Sequence, residues 1–173
     1  IGIVIRQDIF VNQAKTVFLA IGSNLGNRFR NIELAKIALL SNKIQILKTS
    51  SYYETLSWPN TKDPKFINIV LKIRTSLKVV DLLNLCKKIE ILLGRKKLKR
   101  NSPRTCDIDI LDYDKETNHN RINLPHPRMH KRNFVLIPLF EISKNWEHPI
   151  SKLHIKTLIL KLSNKDITSI KKI

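Results

Sequence analysis

Cysteine is scarce in this chain: Cys86 and Cys106 are the only two. Two thiols cannot make a disulfide framework or fill a four-ligand zinc site, and they read as reduced, half-buried side chains. No apolar run approaches the roughly 20 residues that span a bilayer. Ile1 to Val11 alternate apolar and polar residues around Arg6 and Asp8, without the charged, apolar and small-residue regions of an export signal. The expectation is a cytoplasmic protein that does not engage a membrane. Glycine is also sparse, at four residues, and no Gly-x-x-x-x-Gly-Lys-Ser/Thr stretch is present, so a P-loop is excluded as a phosphate cradle. Aromatic residues make up 6% of the chain. An RNA-reading sheet needs exposed rings in a Lys/Arg-Gly-Phe/Tyr-Gly/Ala-Phe-Val-x-Phe/Tyr arrangement, and none occurs.

Acidic residues are outnumbered, 14 against 32 Lys and Arg, which leaves a net charge of +18. Such a balance attracts polyanions, whether nucleic acid, acidic membrane or nucleotide phosphate. Lys, Ile and Asn are abundant together, however, and an AT-rich coding bias scatters lysines over solvated faces. Charge alone decides nothing here. The length of 173 residues suits one domain with a substantial core.

Thr16 to Ile21 reads as a strand running into Gly22-Ser23-Asn24-Leu25-Gly26-Asn27. Ile32, Ala35, Leu39 and Leu40 then carry a helical pattern, Ile44 to Tyr53 is extended, and Trp58 to Pro64 is a loop. From Phe66 to Ile73 the alternation is clean: Ile67, Ile69, Leu71 and Ile73 share one face, and Phe66, Asn68, Val70 and Lys72 the other. Ser76 is placed to cap a helix whose stripe is Val79, Leu82, Leu83, Cys86, Ile89 and Leu93, with Gly94 as its stop. Thr105 to Tyr113 is a further strand, Ile122 to Arg132 is irregular, and Asn133 to Phe140 is apolar. A last amphipathic helix is expected over roughly Ser151 to Leu162. The order β-α-β-β-α-β predicts an α+β sandwich, a mostly antiparallel sheet with helices on one face. Ile1 to Lys15 forms an extension read as a disordered leader, an added edge strand or the remnant of a fused upstream enzyme; residues 16–173 read as a single domain.

The sharpest chemical feature is Asp107-Ile108-Asp109. Residues two apart on a strand point to one face, so the carboxylates project together while Ile108 and Ile110 turn to the core. Their mutual repulsion is relieved by a divalent cation, and magnesium favours one or two carboxylates plus substrate phosphates. An isolated D-x-D is more often a solvated edge. Here Arg104 and the basic stretch Arg95-Lys96-Lys97-Leu98-Lys99-Arg100 lie just upstream, and Pro125-His126-Pro127-Arg128-Met129-His130-Lys131-Arg132 adds further cationic groups. Carboxylate, metal and arginine together suit a triphosphate. Phe66 beside Asn68 offers a ring and an amide for a flat heterocycle, although each alone is ordinary strand filling.

Taken in order, Ala20-Ile21-Gly22-Ser23-Asn24-Leu25-Gly26, Ser51-Tyr52-Tyr53-Glu54-Thr55, Phe66-Ile67-Asn68, Gly94-Arg95, Pro103-Arg104-Thr105-Cys106-Asp107-Ile108-Asp109-Ile110, Pro125-His126-Pro127-Arg128-Met129 and Arg132-Asn133-Phe134-Val135-Leu136 resemble the 6-hydroxymethyl-7,8-dihydropterin pyrophosphokinases of folate biosynthesis. The stretch Pro103 to Ile110 is the most specific. The resemblance implies a ferredoxin-like βαββαβ core and an enzyme that transfers the diphosphate of ATP to the pterin hydroxymethyl group, releasing AMP. It implies two magnesium ions on Asp107 and Asp109, ATP as co-substrate, and a monomer with small-molecule substrates and no nucleic acid. Arg95 and Arg104, with the two aspartates, would be catalytic. Glu90, Arg95, Arg100, His126 and Arg132 would contact ATP. Phe66 and Phe134 would sandwich the pterin, with Asn68, Thr55 and Trp58 lining its pocket. The chain departs from the family pattern at Asn101-Ser102, Leu56-Ser57, Pro59, Lys62 and Lys87, all in connecting loops or near the nucleotide rim. These departures leave the metal ligands and pterin rings in place and predict activity with altered affinity. Two other readings stand beside this one: an RNA-binding ferredoxin-like module, which two carboxylates on the sheet face oppose, and a phosphoryl transferase for another alcohol.

Overall fold

The computed structural model describes residues 14–57, 60–96, 101–117 and 122–173. Most of the extension over residues 1–15, together with Trp58 and Arg100, lies outside the described residues. β1 (Lys15–Ser23) is lengthened at both ends relative to its apolar run. It sits centrally, hydrogen-bonded to β4 (Phe66–Thr75) on one side and β5 (Asp107–Tyr113) on the other. β2 (Gln45–Thr49) and β3 (Tyr53–Thr55) are successive legs along the other side of β4, and β6 (Lys171–Lys172) adds beside β3. All of these pairings are antiparallel.

The extended stretch Ile44 to Tyr53 is therefore two strands and not one. At the break, Ser50 N–H donates to Val70 O at 2.9 Å and Val70 N–H donates to Ser50 Oγ at 2.9 Å. A serine thus holds the interrupted ladder together with its backbone and its hydroxyl. With β2 and β3 counted as one leg, the core is the ferredoxin-like βαββαβ arrangement.

Helix α1 (Arg28–Ser41) starts on Asn27, whose side chain accepts from Arg30 N–H at 3.0 Å. This is the N-cap arrangement that satisfies an orphan amide. Helix α2 (Val79–Leu92) is different from expectation at its start: Lys78 is the N-cap, without a side-chain bond, and Ser76 is not the cap. Its end follows the sequence. Gly94 takes φ +86°, and Arg95 N–H reaches back to Glu90 O at 3.0 Å while Gly94 N–H reaches Ile91 O at 2.9 Å. A left-handed residue closing these two bonds turns the chain sharply away from the helix axis.

The expectation of helices on one face is corrected here. α1 and α2 cover the face made by Val17, Leu19, Ile21, Ile67, Ile69, Leu71, Ile73, Ile108 and Ile110. The opposite face carries Phe18, Val70 and Leu111, and it is buried by α3 (Asn133–Ile142) and α4 (Ile155–Leu160) with Trp146. The physical reason is visible in β4: five of its residues in succession, Ile67 to Leu71, are buried, so the strand needs cover on both sides. The final expected helix over Ser151 to Leu162 is shorter, α4 alone, capped by His154 and followed by α5 (Asn164–Thr168). No helix among the described residues is long and apolar enough to cross a membrane.

Candidate functional site

At one end of the sheet, on the face shared with α3, four strands line up a row of side chains. The register pairs Asp107 with Gly22, Gly22 with Asn68, and Asn68 with Tyr53. The middle position has to be glycine. A Cβ on Gly22 would stand 2.9 Å from Asn68 Oδ1 and 3.4 Å from Phe66 Cδ1, closer than a methyl group and an oxygen pack. The missing side chain leaves a floor between the carboxylate strand and the Phe66–Asn68 strand.

On the carboxylate side, β5 turns Ile108 and Ile110 into the core and leaves Asp107 and Asp109 partly exposed on the site face. Asp107 is gripped from two directions. Arg95 Nη1 lies 2.6 Å from its Oδ1, and Arg104 donates from Nε at 2.9 Å to Oδ2, with Nη2 2.7 Å away. Asp109 faces Arg132 Nη1 at 3.4 Å and His126 Nε2 at 3.8 Å. The expected group of Arg95, Arg104, Asp107, Asp109, His126 and Arg132 thus forms two adjoining sets, Arg95 and Arg104 on Asp107 and His126 and Arg132 on Asp109, two residues apart on one strand face.

Glu90 belongs to the first set but is only 2% exposed. Its Oε1 accepts from Ile108 N–H at 2.7 Å and from Lys87 Nζ at 2.8 Å, and its Oε2 lies 2.6 Å from Arg95 Nη1. It stands behind Arg95 and fixes that guanidinium against Asp107. Arg95 is brought there by the sharp exit from α2 at Gly94.

Burial pushes the Asp107 carboxyl up, but Arg104 and Arg95 outweigh it and hold the group below the usual carboxylate range. His126 is held below the ordinary imidazole value, first by burial and further by Arg132 and Arg128, with Asp109 opposing. Asp107 is therefore an anion at neutral pH, and His126 presents a neutral ring.

On the other side of Gly22, Asn68 is buried and its Nδ2 donates to Thr55 Oγ1 at 3.0 Å. Phe66 lies beneath Arg104, whose Cζ is 5.1 Å from the ring centroid. Phe134, in the first turn of α3, lies under Arg132 at 5.4 Å. Thr55, Phe66 and Asn68 are brought together as expected. Phe66 and Phe134 each face a different guanidinium and make no ring–ring contact with one another. Trp58 and Arg100 fall outside the described residues.

Sequence reasoning assigned no role to Asn24, which is 1% exposed at the end of β1. It receives Arg104 N–H on Oδ1 at 2.8 Å, donates its own N–H to Arg104 O at 3.1 Å, and donates from Nδ2 to Ser57 Oγ at 3.2 Å and Pro64 O at 3.1 Å. The available signal was a polar Ser23-Asn24 pair closing an otherwise apolar strand. Such a pair is buried only if the backbone around it needs partners.

The donor set can also be asked which metal it fits. Among the described residues no group of three or more His, Cys, Asp or Glu side chains converges. Two carboxylates on one strand face, with arginines at hand, fit a hard cation that takes most of its oxygens from phosphate and water, as magnesium does. They do not fit a zinc site.

A sequence profile of the 7,8-dihydro-6-hydroxymethylpterin-pyrophosphokinase (HPPK) family matches residues 18–144. The chain is 41% identical over 142 residues to the 2-amino-4-hydroxy-6-hydroxymethyldihydropteridine pyrophosphokinase of Aquifex aeolicus, covering 82% of this chain and 88% of that protein. It is 40% identical over 133 residues to the enzyme of the same name in Bacillus subtilis, covering 75% and 79%. A folic acid synthesis protein of Pneumocystis carinii is 40% identical over 155 residues, but the match spans only 21% of that longer protein. Among solved structures, a Plasmodium falciparum HPPK-DHPS chain with pterin and p-hydroxybenzoate superposes with a TM-score of 0.74. At 15% identity, over 93% of this chain and 48% of that one, this similarity speaks for the fold alone.

Proposed function

Because the chain belongs to the 7,8-dihydro-6-hydroxymethylpterin-pyrophosphokinase family, we propose that its site transfers a diphosphate from ATP to 6-hydroxymethyl-7,8-dihydropterin. The hydroxymethyl oxygen attacks the β-phosphorus, the bond from that phosphorus to the α,β-bridging oxygen breaks, and AMP departs. The hydroxyl proton is released to solvent. ATP is the co-substrate, and the place of the step is folate biosynthesis.

The observation that carries this reading is the row Asp107, Gly22, Asn68 across three strands. It sets an anionic, arginine-lined end beside a buried amide and an aromatic ring. Asp107 and Asp109 are the residues that would hold two magnesium ions. When bound, magnesium neutralises the carboxylate pair and the negative charge of the triphosphate. The protein groups do the positioning. Arg95 and Arg104 already sit within 3 Å of Asp107, and they are placed to pass from carboxylate to phosphate oxygens, where bidentate guanidinium contacts are strong. His126 and Arg132, from the segment that leads into α3, border Asp109 and are placed to contact the triphosphate. Phosphoryl transfer through a loose transition state asks mainly for alignment and charge neutralisation, which suits a cluster that contains no evident general base.

Asn68 and Thr55 read the edge of the pterin, and Phe66 and Phe134 cover its faces. A planar ring between apolar faces gains both dispersion and stacking. An RNA-binding reading fits poorly, since α3 and α4 cover the sheet face from which rings would have to project.

Product analysis with ATP, magnesium and 6-hydroxymethyl-7,8-dihydropterin tests the proposal. One AMP per diphosphorylated pterin is expected. ADP in place of AMP means γ-phosphoryl transfer and overturns the assignment.

A further inference from the structure

The two halves of the site are entered from different connections: Arg104 lies in the segment between α2 and β5, and Phe66 opens β4, directly after the segment between β3 and β4 that ends in Pro64 and Lys65. Side chains on separate connections have no intrinsic reason to keep a fixed relation. Here they share one buried amide. We infer that Asn24 is a positioning residue that sets the phosphate-side Arg104 and the pterin-side entry to Phe66 from a single side chain. The inference rests on the diphosphate-transfer reading for its kinetic consequences, and its geometry is independent of that reading.

The polarity of the amide is fixed by its partners. Arg104 N–H can only donate, so it requires the oxygen; Pro64 O can only accept, so it requires the NH2. The NH2 has two hydrogens, and Ser57 Oγ and Pro64 O take both. Arg104 is held twice, because Asn24 N–H also binds its carbonyl at 3.1 Å. A residue held at both its N–H and its C=O has a fixed main chain, so its side chain starts from a set point between Asp107 and the Phe66 ring, which the guanidinium reaches in this structure. Pro64, two residues before Phe66, accepts from the other end of the same amide at 3.1 Å and from Ser57 Oγ, itself a partner of that amide, at 2.5 Å. No other residue type supplies an acceptor and two donors at this reach: Ser lacks the second donor, Asp lacks both, and Gln is a methylene too long for a position 1% exposed.

Two substitutions separate the two ends. Asn24→Asp keeps an oxygen for Arg104 N–H and removes the donors to Ser57 and Pro64. Asn24→Ala removes both ends. We expect Asn24→Asp to raise the pterin KM about tenfold with kcat within about threefold, as the loss of neutral hydrogen bonds on one side implies. Asn24→Ala should raise the pterin KM similarly and lower kcat by a further factor of about ten, because Arg104 is released as well. A residue that merely supports the fold would lower the melting temperature without splitting KM from kcat in this way.

Amide hydrogen exchange on the ligand-free proteins gives a readout that needs no turnover. Asn24→Asp should lose protection at Lys65 and Phe66, the amides that follow Pro64, and keep it in residues 104–106; Asn24→Ala should lose both. If Asn24→Asp fails to fold, Ser57→Ala takes its place; it removes the hydroxyl that links Asn24 to Pro64, with a pterin KM raised about threefold expected and an unchanged KM counting against the inference. Wild-type protein that yields no AMP defeats the proposed reaction, and the exchange pattern still judges Asn24. Active wild type with both kinetics and exchange unchanged in the two Asn24 variants overturns the inference.

Discussion

Arg95 is held to Asp107 at 2.6 Å, and the same nitrogen lies 2.6 Å from buried Glu90. One guanidinium nitrogen is thus shared by a carboxylate that faces the site and one that faces the core. The arrangement holds Arg95 beside Asp107 before any substrate arrives, and it gives Glu90 two duties. One is to orient Arg95. The other is to satisfy Ile108 N–H in the strand that carries both aspartates.

Glu90→Ala should therefore be costly in two currencies. Arg95 keeps Asp107, but Ile108 N–H is left buried without its acceptor, a loss of about 1–3 kcal/mol, and the space of the buried side chain is left empty. Glu90→Gln preserves that acceptor and should lose only about 1–2 kcal/mol. Urea unfolding of the two variants checks the order. Turnover should fall in both, since Arg95 loses its second carboxylate in each.

Asp109→Ala is expected to leave the fold intact, because the side chain is partly exposed and its contacts to Arg132 and His126 are 3.4 and 3.8 Å long. Diphosphate transfer should drop by at least about a hundredfold as magnesium affinity falls. Chelation of magnesium should abolish turnover in the wild type, with full recovery on its return. A variant that turns over normally would sink the metal assignment.

Phe134→Ala should weaken pterin binding far more than ATP binding. Its ring lies in the first turn of α3, next to Arg132 rather than deep in the second core. Titration calorimetry with each substrate separately measures the contrast, and equal losses for both would count against the aromatic sandwich.

Glu141, also on α3, ties that helix to the β2–β3 break. Ser51 donates to it from N–H at 2.9 Å and from Oγ at 2.7 Å, and Tyr53 OH and Lys172 Nζ each donate at 3.0 Å. Burial raises its pKa, yet these donors outweigh burial and bring it down to about 2. A depressed folded-state value means stability that is full above the unfolded value near 4.5 and lost as pH falls from there through about 2. Glu141→Gln should be less stable than wild type at pH 7, and the gap should close as pH falls from 4.5 toward 2. Unfolding midpoints at pH 7 and pH 3 test this.

Much of the central architecture was legible in the sequence, for reasons that individual residues explain. β4 showed its two faces because its alternation is strict, and the Asp107–Asp109 pair was readable because strand geometry alone puts residues two apart on one side. What failed were features decided by distant parts of the chain. α3 is apolar around most of its circumference and contains Pro138, so neither period nor breaker signals identify a helix; it is stabilised by the face of the sheet it covers. Ser76 looked like a cap, but the helix starts later, and Thr75 Oγ1 instead receives Leu77 N–H at 3.1 Å. The role of Asn24 depends on partners 33, 40 and 80 residues away, a relation that no local window contains.

The row that joins Asp107, Gly22 and Asn68 also acts as a ruler. Its graduations are strand spacings of about 4.8 Å, so the charged end and the recognition end stand roughly 10 Å apart by main-chain hydrogen bonding and not by side-chain length. Substitutions can sharpen or blunt either end, but they cannot move one mark toward the other. On the proposed reading, an alcohol whose ring and hydroxyl are separated differently would match these two marks less well, because the sheet fixes the distance between them.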